Sequence, residues 1–179
     1  MADRASSHLW LMRFIWLGLC LLLIFLHLLP LDTTPRGWAA PQLIIALTFA
    51  WVLRRPEYVP PLLIALVFLL ADLLQQRPPG LWAALVLIGS EALRVRATRL
   101  RDMAFAVEWI HVAVTLVIMT LSYRLVLSLL LIDQASLGLS LTQMLMTLIS
   151  YPLIVIISQT IFRVRKLAPG NIDAIRPHL

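Results

Sequence analysis

Residues 9–31 read LWLMRFIWLGLCLLLIFLHLLPL, and this stretch decides the class of fold. Arg13 is its one residue that is charged when His27 is neutral. A helix needs about 20 mostly apolar residues to cross a hydrocarbon core of ~30 Å. A signal peptide has an apolar region of only ~7–15 residues, followed by a cleavage site between small residues. The stretch is therefore predicted to be a retained transmembrane helix.

Five further apolar runs follow, at residues 38–53, 59–74, 81–93, 103–132 and 137–162. The chain is therefore predicted to be all-α, a polytopic transmembrane bundle of six helices. Its composition agrees, with 61% hydrophobic residues, 13% charged residues and a mean hydropathy of +0.91. A soluble domain is only about half apolar and a quarter charged. We predict one membrane domain at residues 9–166, with cytoplasmic tails at residues 1–8 and 167–179.

The second, third and fourth runs, residues 38–53, 59–74 and 81–93, are short for a bilayer, and the last two raise a further question. Sixteen residues reach only about 24 Å at ~1.5 Å per residue. Two alternatives stay open for these runs. They are short spanning helices with snorkelling arginines at their ends, or they form a re-entrant hairpin. Both alternatives place the two chain termini on the same side of the membrane.

The basic residues are distributed unevenly among the segments between the runs. With the N-terminus inside, twelve of the 15 lysines and arginines fall in inside segments, and only Arg36 and Arg77 fall in outside loops. Cytoplasmic segments of membrane proteins carry this excess, so both termini are predicted to be cytoplasmic. The net charge of +6 would suggest nucleic acid binding in a soluble protein. Here the charges lie in short clusters between apolar runs, so no nucleic acid partner is predicted.

Tryptophan prefers the membrane interface, where its ring is amphipathic. Five tryptophans are predicted to lie there because they fall near run ends: Trp10, Trp38, Trp51, Trp82 and Trp109. Arg124 lies about twenty residues along the fifth run, or about 30 Å at ~1.5 Å per residue. We expect Arg124 to reach the outer headgroups and to snorkel beside Tyr123.

Polar residues inside the apolar runs are the candidate functional residues, because they are costly in hydrocarbon. Asp72 lies near the end of the third run, and helical spacing would place Gln75 and Gln76 on its face. The three side chains are either a polar cluster that binds a ligand or partner helix, or Asp72 is an interfacial carboxylate that caps the chain before the turn at Arg77. We favour the capping interpretation.

Two further polar pairs have the i, i+3 spacing of a helix face. Glu91 and Arg94 are predicted to form an ion pair at the cytoplasmic end of the fourth run. Glu108 and His111, with Thr115 one turn further, suggest a proton relay, half of a metal site or hydrogen bonds between helices. No further His, Cys, Asp or Glu has the spacing of additional metal ligands, so interhelical hydrogen bonding is predicted and neither a metal nor a cofactor is.

Pro152 interrupts the sixth run. Because proline lacks a backbone N–H, we expect it to kink this helix, and neighbouring helices in a bundle tolerate such a break. No catalytic residues are predicted. Candidate nucleophiles and bases fall at different depths of the bundle, and the chain has no glycine-rich phosphate loop.

One segment of the chain is similar to a known family. Residues 55–63 read RPEYVPPLL, and the segment continues through Ala71-Asp72 to Pro79-Gly80. A proline-led helix with an aspartate near its end, followed by a glycine that opens the next helix, resembles the bacterial rod shape-determining protein MreD family. Asp72 and Gly80 match this signature, and Pro152 resembles the family's proline in the last helix. The likeness covers roughly residues 9–166, and it departs at Ala71, where relatives often have glycine.

The resemblance implies a role in the cell and no reaction. MreD-like proteins are non-enzymatic inner-membrane scaffolds of the machinery that elongates the lateral cell wall and maintains rod shape. The expected partners are an MreC-type bitopic protein, an MreB-type filament protein, a glycosyltransferase, a transpeptidase and the lipid bilayer. The family's fold is expected to be similar to the substrate-binding subunit of energy-coupling vitamin transporters. The alternative function is therefore a small-molecule transporter subunit, with Asp72, Glu108 and His111 lining a pocket.

Overall fold

The computed structural model describes residues 2–29, 40–100, 103–134, 136–162 and 164, with side chains from residue 7 onward. The described chain forms six helices: α1 Ala2–Leu28, α2 Leu43–Arg54, α3 Pro61–Leu74, α4 Leu81–Leu100, α5 Phe105–Leu129 and α6 Leu137–Thr160. A 3₁₀ turn, Pro56–Tyr58, joins α2 to α3. The predicted all-α fold with six helices is confirmed.

Several predicted features lie outside the described residues. They are Arg36, Trp38, Arg101, Arg163, Arg165, Lys166, Arg176 and the tail at residues 167–179. At the other end of the chain, α1 begins at Ala2. The segment predicted as an N-terminal tail is therefore the first part of this helix.

The fourth helix is longer than its apolar run. α4 continues past residue 93 to Leu100, because the arginines that end the apolar run are good helix formers. Its 20 residues span about 30 Å at ~1.5 Å per residue. The 14 residues of α3 span only about 21 Å on the same basis. The shortness predicted for the second, third and fourth runs therefore applies to α3 and to the 12-residue α2, but not to α4.

Within the part of the chain that the structure describes, three helices are long and apolar enough to cross a membrane: Ser7–Leu28, Phe105–Leu129 and Leu137–Thr160. Large apolar side chains cover their outer faces, and Ile118 and Leu153 are each more than half exposed. A soluble protein rarely exposes apolar surface of this extent. The chain therefore has the helices and the surface of a membrane protein.

The shortest helix lies at the centre of the bundle. α2 packs against α1, α4, α6 and the 3₁₀ turn. Every residue of α2 from Ile45 to Arg54 is buried, including the polar Thr48. Trp51 is fully buried in this helix, so its ring packs within the protein, and its level at the membrane interface stays a prediction. An apolar run with a tryptophan near its end is equally typical of a central helix whose tryptophan has an internal hydrogen-bond partner.

The two ends of the bundle differ in chemistry. At one end the beginnings of α2, α4 and α6 meet the end of α5 around a cavity, and we call this the cavity end. The opposite end, which we call the arginine end, carries most of the described arginines: Arg13, Arg54, Arg55, Arg94, Arg96 and Arg99. The Arg13 side chain donates a hydrogen bond of 3.2 Å to the Glu57 carbonyl there.

Candidate functional site

Three polar side chains from three helices meet inside the arginine end. Arg54 ends α2, Glu108 lies in the first turn of α5 and Tyr151 lies in α6, and each is at most 1% exposed. Arg54 Nη1 lies 2.7 Å from Glu108 Oε1. The Tyr151 hydroxyl donates to the same carboxylate oxygen at 2.6 Å. We call these three residues the Arg54 cluster, and it links helices that are distant in sequence.

Two aromatic contacts surround the Arg54 cluster. Trp51 Nε1 donates to the Ser158 hydroxyl at 3.1 Å, which is a second polar link between α2 and α6. The Phe105 ring stacks on Tyr151, with 6.2 Å between ring centroids and 12° between planes. Both contacts hold the cluster in a region without access to solvent. In such a region, removing one member of an ion pair is costly, because the other charge is left buried without its partner.

The predicted face of Glu108, His111 and Thr115 is not assembled as one cluster. His111 Nδ1 lies 2.8 Å from the Val107 carbonyl, and the Thr115 hydroxyl donates to the His111 carbonyl at 2.8 Å. Both bonds stay within α5, whereas Glu108 binds side chains of α2 and α6. Arg54 was the residue that sequence reasoning missed, because it was interpreted only as an orientation charge. Its position at the end of an apolar run gave no signal of its carboxylate partner.

Asp72 caps the next helix. Its Oδ2 accepts hydrogen bonds from the backbone N–H groups of Gly80 and Ala83, both at 3.1 Å. These groups lie at the beginning of α4, where N–H groups lack partners within the helix. Asp72 is only 1% exposed, and it caps the helix that follows the Arg77 turn, whereas the favoured prediction was an interfacial carboxylate that caps the chain before this turn.

The turn before α4 requires a backbone conformation at position 80 that favours glycine. The φ of Gly80, +86°, is in the left-handed region, which glycine adopts without steric cost. Gln75 and Gln76 follow the end of α3, and Gln76 has a φ of +53°. Gln75 still donates its backbone N–H to the Ala71 carbonyl, whereas the backbone leaves the helix at Gln76, so Gln76 does not continue the helix face predicted for it.

Glu91 and Arg94 form the predicted ion pair, with 3.0 Å between Arg94 Nε and Glu91 Oε1. The Arg94 guanidinium also donates to the carbonyls of Pro56 and Val59, at 3.1 and 2.5 Å. These carbonyls belong to the connection between α2 and α3. Arg94 therefore holds this connection against α4, which sequence spacing alone did not indicate.

Pro152 creates a hydrogen-bond acceptor inside α6. Because proline has no N–H, the Leu148 carbonyl one turn earlier has no α-helical donor at position 152. Trp109 Nε1 of α5 donates to this carbonyl at 3.0 Å. Trp109 therefore has an interhelical role beyond the interfacial one predicted for it.

Two cavities of about 230 and 210 Å³ lie side by side at the cavity end. Both are lined by Gln42, Arg77 and Trp82. Arg124 lines the larger cavity, where its Nη1 donates to the Ser140 hydroxyl at 2.7 Å. Its side chain is held between α5 and α6, which differs from the predicted snorkelling toward headgroups.

Arg77 lies in the turn between α3 and α4 and forms part of the wall between the two cavities. Burial lowers the pKa of its guanidinium, whereas Tyr123 and Asp72 act in the opposite direction. A guanidinium keeps its charge in proteins, so Arg77 remains a cation. Its charge lies 5.8 Å from the centre of the Trp82 ring.

The interior polar groups bond mainly to other groups of the chain. Among the described residues, no group of three or more His, Cys, Asp and Glu side chains is placed to hold a metal ion. Asp72, Glu108 and His111 line neither of the two cavities. Comparison of the chain with protein-family models, curated proteins and solved structures found no match.

Proposed function

We propose that this chain is a non-enzymatic scaffold of the bacterial inner membrane that belongs to the MreD family and acts in cell-wall elongation. In this role it binds an MreC-type bitopic protein and acts with an MreB-type filament, a glycosyltransferase and a transpeptidase. Both termini lie in the cytoplasm, so the arginine end faces the cytoplasm and the cavity end faces the periplasm. The excess of described arginines at the arginine end supports this orientation.

The α3–α4 hairpin is the observation that carries the proposal. The resemblance to the family depends most on Asp72 and Gly80, which are eight residues apart. In the structure the Asp72 carboxylate accepts the Gly80 N–H, and Gly80 has the backbone conformation that favours glycine. Two residues matched on a pattern alone thus form one structural unit, which supports their use as a family signature.

The packing of the polar groups supports a structural role. Asp72, Glu108 and Arg94 each bind groups from another helix or connection of the same chain. Such bonds hold the helices in one arrangement. This arrangement determines which apolar side chains lie on the outer faces of the bundle. A partner's transmembrane helix associates with such a face through close packing.

The transporter alternative has less support from these residues. It requires Asp72, Glu108 and His111 to line a ligand pocket, and they line neither cavity at the cavity end. Asp72 and Glu108 accept hydrogen bonds from the protein itself. The scaffold proposal therefore accounts for their positions better than the transporter alternative does.

The test is depletion of the protein in the cells that produce it, combined with purification of the tagged full chain from their membranes. We expect depleted cells to lose rod shape and a single-span protein with a coiled coil to copurify. Asp72→Leu should reduce both rescue of shape and copurification, because it removes the cap of α4. A matched control is Thr98→Ala, a change at an exposed polar residue of α4, the helix that Asp72 caps, and this variant should rescue shape.

Two results would contradict the scaffold role. One is retention of rod shape after depletion with no single-span partner in the purified material. The other is copurification of a pair of ATPases, which would favour the transporter alternative.

A further inference from the structure

A groove of about 330 Å³ lies between α1 and α3, which pack against each other, and we call it the α1–α3 groove. Arg13 is the one charged residue among the described residues that line it. Phe14 and Leu62, on opposite walls, are each more than half exposed. The groove therefore opens onto the apolar outer surface of the bundle, which faces acyl chains in a membrane.

The α1–α3 groove extends from the arginine end toward the middle of the bundle. On α1 its described lining runs from Trp10 to Leu17, which is about 10 Å at ~1.5 Å per residue. The apolar residues Leu62 and Leu66 follow it along α3. Because a hydrocarbon core is ~30 Å thick, the groove lies within a single leaflet. A lipid chain has this reach, whereas a partner's spanning helix needs a contact face that continues across both leaflets.

The Arg13 guanidinium is held at the outer end of this groove by one of its three nitrogens. Its Nε donates to the Glu57 carbonyl at 3.2 Å, and its Cζ lies 5.1 Å from the centre of the Trp10 ring. Within the described part of the chain, nothing accepts a hydrogen bond from its two terminal nitrogens. The Glu57 carboxylate lies beside Arg55 instead, with 3.6 Å between Oε1 and Nη1. The terminal nitrogens of Arg13 can therefore donate to the oxygens of a phosphate.

The start of α3 lies at the same end of the groove. The helix begins at Pro61, and Leu62 in its first turn lines the groove. The first N–H groups of a helix have no partners within the helix and carry a partial positive charge. No acidic residue lies in this first turn. The helix start therefore adds to the attraction of Arg13 for an anion.

We propose that the α1–α3 groove binds an anionic phospholipid. The phosphate of the lipid accepts hydrogen bonds from the terminal nitrogens of Arg13, and one acyl chain lies along Phe14, Leu62 and Leu66. A cation at the outer end and apolar walls further in match the order of chemical groups in such a lipid. The site goes beyond the scaffold role and does not depend on it.

The first test is titration of the delipidated full chain in neutral detergent, followed by native mass spectrometry. The probes are phosphatidylglycerol and phosphatidylcholine with the same acyl chains. We expect phosphatidylglycerol to bind about tenfold more tightly, as one charge-assisted hydrogen bond would give. Arg13→Gln should remove this preference and leave the affinity for phosphatidylcholine unchanged, which a loss of folding would not do. Arg13→Lys keeps the charge and should retain part of the preference.

Matched variants separate the groove from general charge and from the rest of the apolar surface. Arg96→Gln removes another charge at the arginine end, where Arg96 donates to the Ala92 carbonyl, and it should leave the preference unchanged. Leu66→Trp fills the groove and should weaken the binding of both lipids. Leu73→Trp changes a similarly exposed residue of α3 at the other end of the helix, and it should leave both affinities unchanged. Equal affinity of the wild type for the two lipids, or a preference that persists in Arg13→Gln, would overturn the proposal.

A second test identifies the occupant of the groove in the membrane. A photoreactive benzoylphenylalanine replaces Leu62 in the full chain, and membranes that contain this variant are irradiated before purification. We expect the mass of the purified chain to increase by that of a phospholipid. A crosslink to another protein at this position would assign the groove to a partner's helix and would overturn the proposal.

Discussion

Two carboxylates inside this bundle accept hydrogen bonds from the backbone or side chains of neighbouring helices. Asp72 accepts two backbone N–H groups of α4, and Glu108 accepts a guanidinium and a hydroxyl from two other helices. Their burial follows from these bonds, because a buried carboxylate without partners would be strongly disfavoured. We therefore make a separate stability prediction for each carboxylate.

Replacing Asp72 should destabilise the protein through the start of α4. In Asp72→Ala the N–H groups of Gly80 and Ala83 lose their acceptor, at a cost of about 1–2 kcal/mol, as for other N-cap losses. Asp72→Asn keeps one acceptor oxygen and should cost less. Thermal unfolding of the purified variants in detergent measures the order, and equal stability of Asp72→Ala and wild type would contradict a capping role.

Removing one side of the buried ion pair should cost more than removing both sides. Glu108→Leu leaves the Arg54 charge buried, with an expected loss of about 3–5 kcal/mol. In Arg54→Met/Glu108→Leu neither position carries a charge, so the double variant should be more stable than Glu108→Leu. Unfolding free energies of the single and double variants test this order. A double variant as unstable as the sum of the single variants would show that the two residues are not coupled.

At the scale of helices, the contact between α5 and α6 depends on a missing backbone donor. Pro152 leaves the Leu148 carbonyl to the Trp109 indole, which reaches it at 3.0 Å. Pro152 therefore interrupts the hydrogen bonding of α6 and also leaves a carbonyl for a hydrogen bond from α5. The same interruption in a helix without a nearby donor would leave a carbonyl unsatisfied.

This arrangement predicts coupling between Trp109 and Pro152. Trp109→Phe should destabilise the wild-type chain by about 1 kcal/mol, because a hydrogen bond to the Leu148 carbonyl is lost. In a Pro152→Ala background, the new N–H at position 152 can bond to Leu148, so Trp109→Phe should cost less. A double-mutant cycle by thermal unfolding measures the difference. The same cost in both backgrounds would contradict the hydrogen bond as the source of the effect.

Sequence patterns predicted the helices well and their contacts poorly. Long apolar runs and proline or glycine breaks are local signals, and they located all six helices and the turn around Gly80. The pairing of Glu91 with Arg94 was also predictable, because both residues lie on one helix face. The Arg54–Glu108 pair was not, because 54 residues separate its members and nothing in either segment identifies the other. The internal contact of Trp51 was not predictable for the same reason, since its Ser158 partner lies 107 residues away.

For the whole molecule, the unequal distribution of arginines predicts which end faces the cytoplasm. Val95 lies at the arginine end and Leu131 near the cavity end, and both side chains are more than three-quarters exposed. In a Cys20→Ser background, Leu131→Cys should react with a membrane-impermeant maleimide added to intact spheroplasts. Val95→Cys should react only after the membrane is permeabilised. The reverse labelling pattern would contradict cytoplasmic termini.

The central position of α2 has a consequence for how the protein is made. This helix has 12 residues and spans about 18 Å at ~1.5 Å per residue, well below the ~30 Å of hydrocarbon. It also ends in Arg54, so it is a poor candidate to leave the translocon for lipid alone. Its neighbours α4 and α6 are synthesised later, as is α5 with the carboxylate that pairs with Arg54. We therefore expect stable insertion of α2 to require the later helices that surround it, so that the central helix is the last to take its place in the membrane.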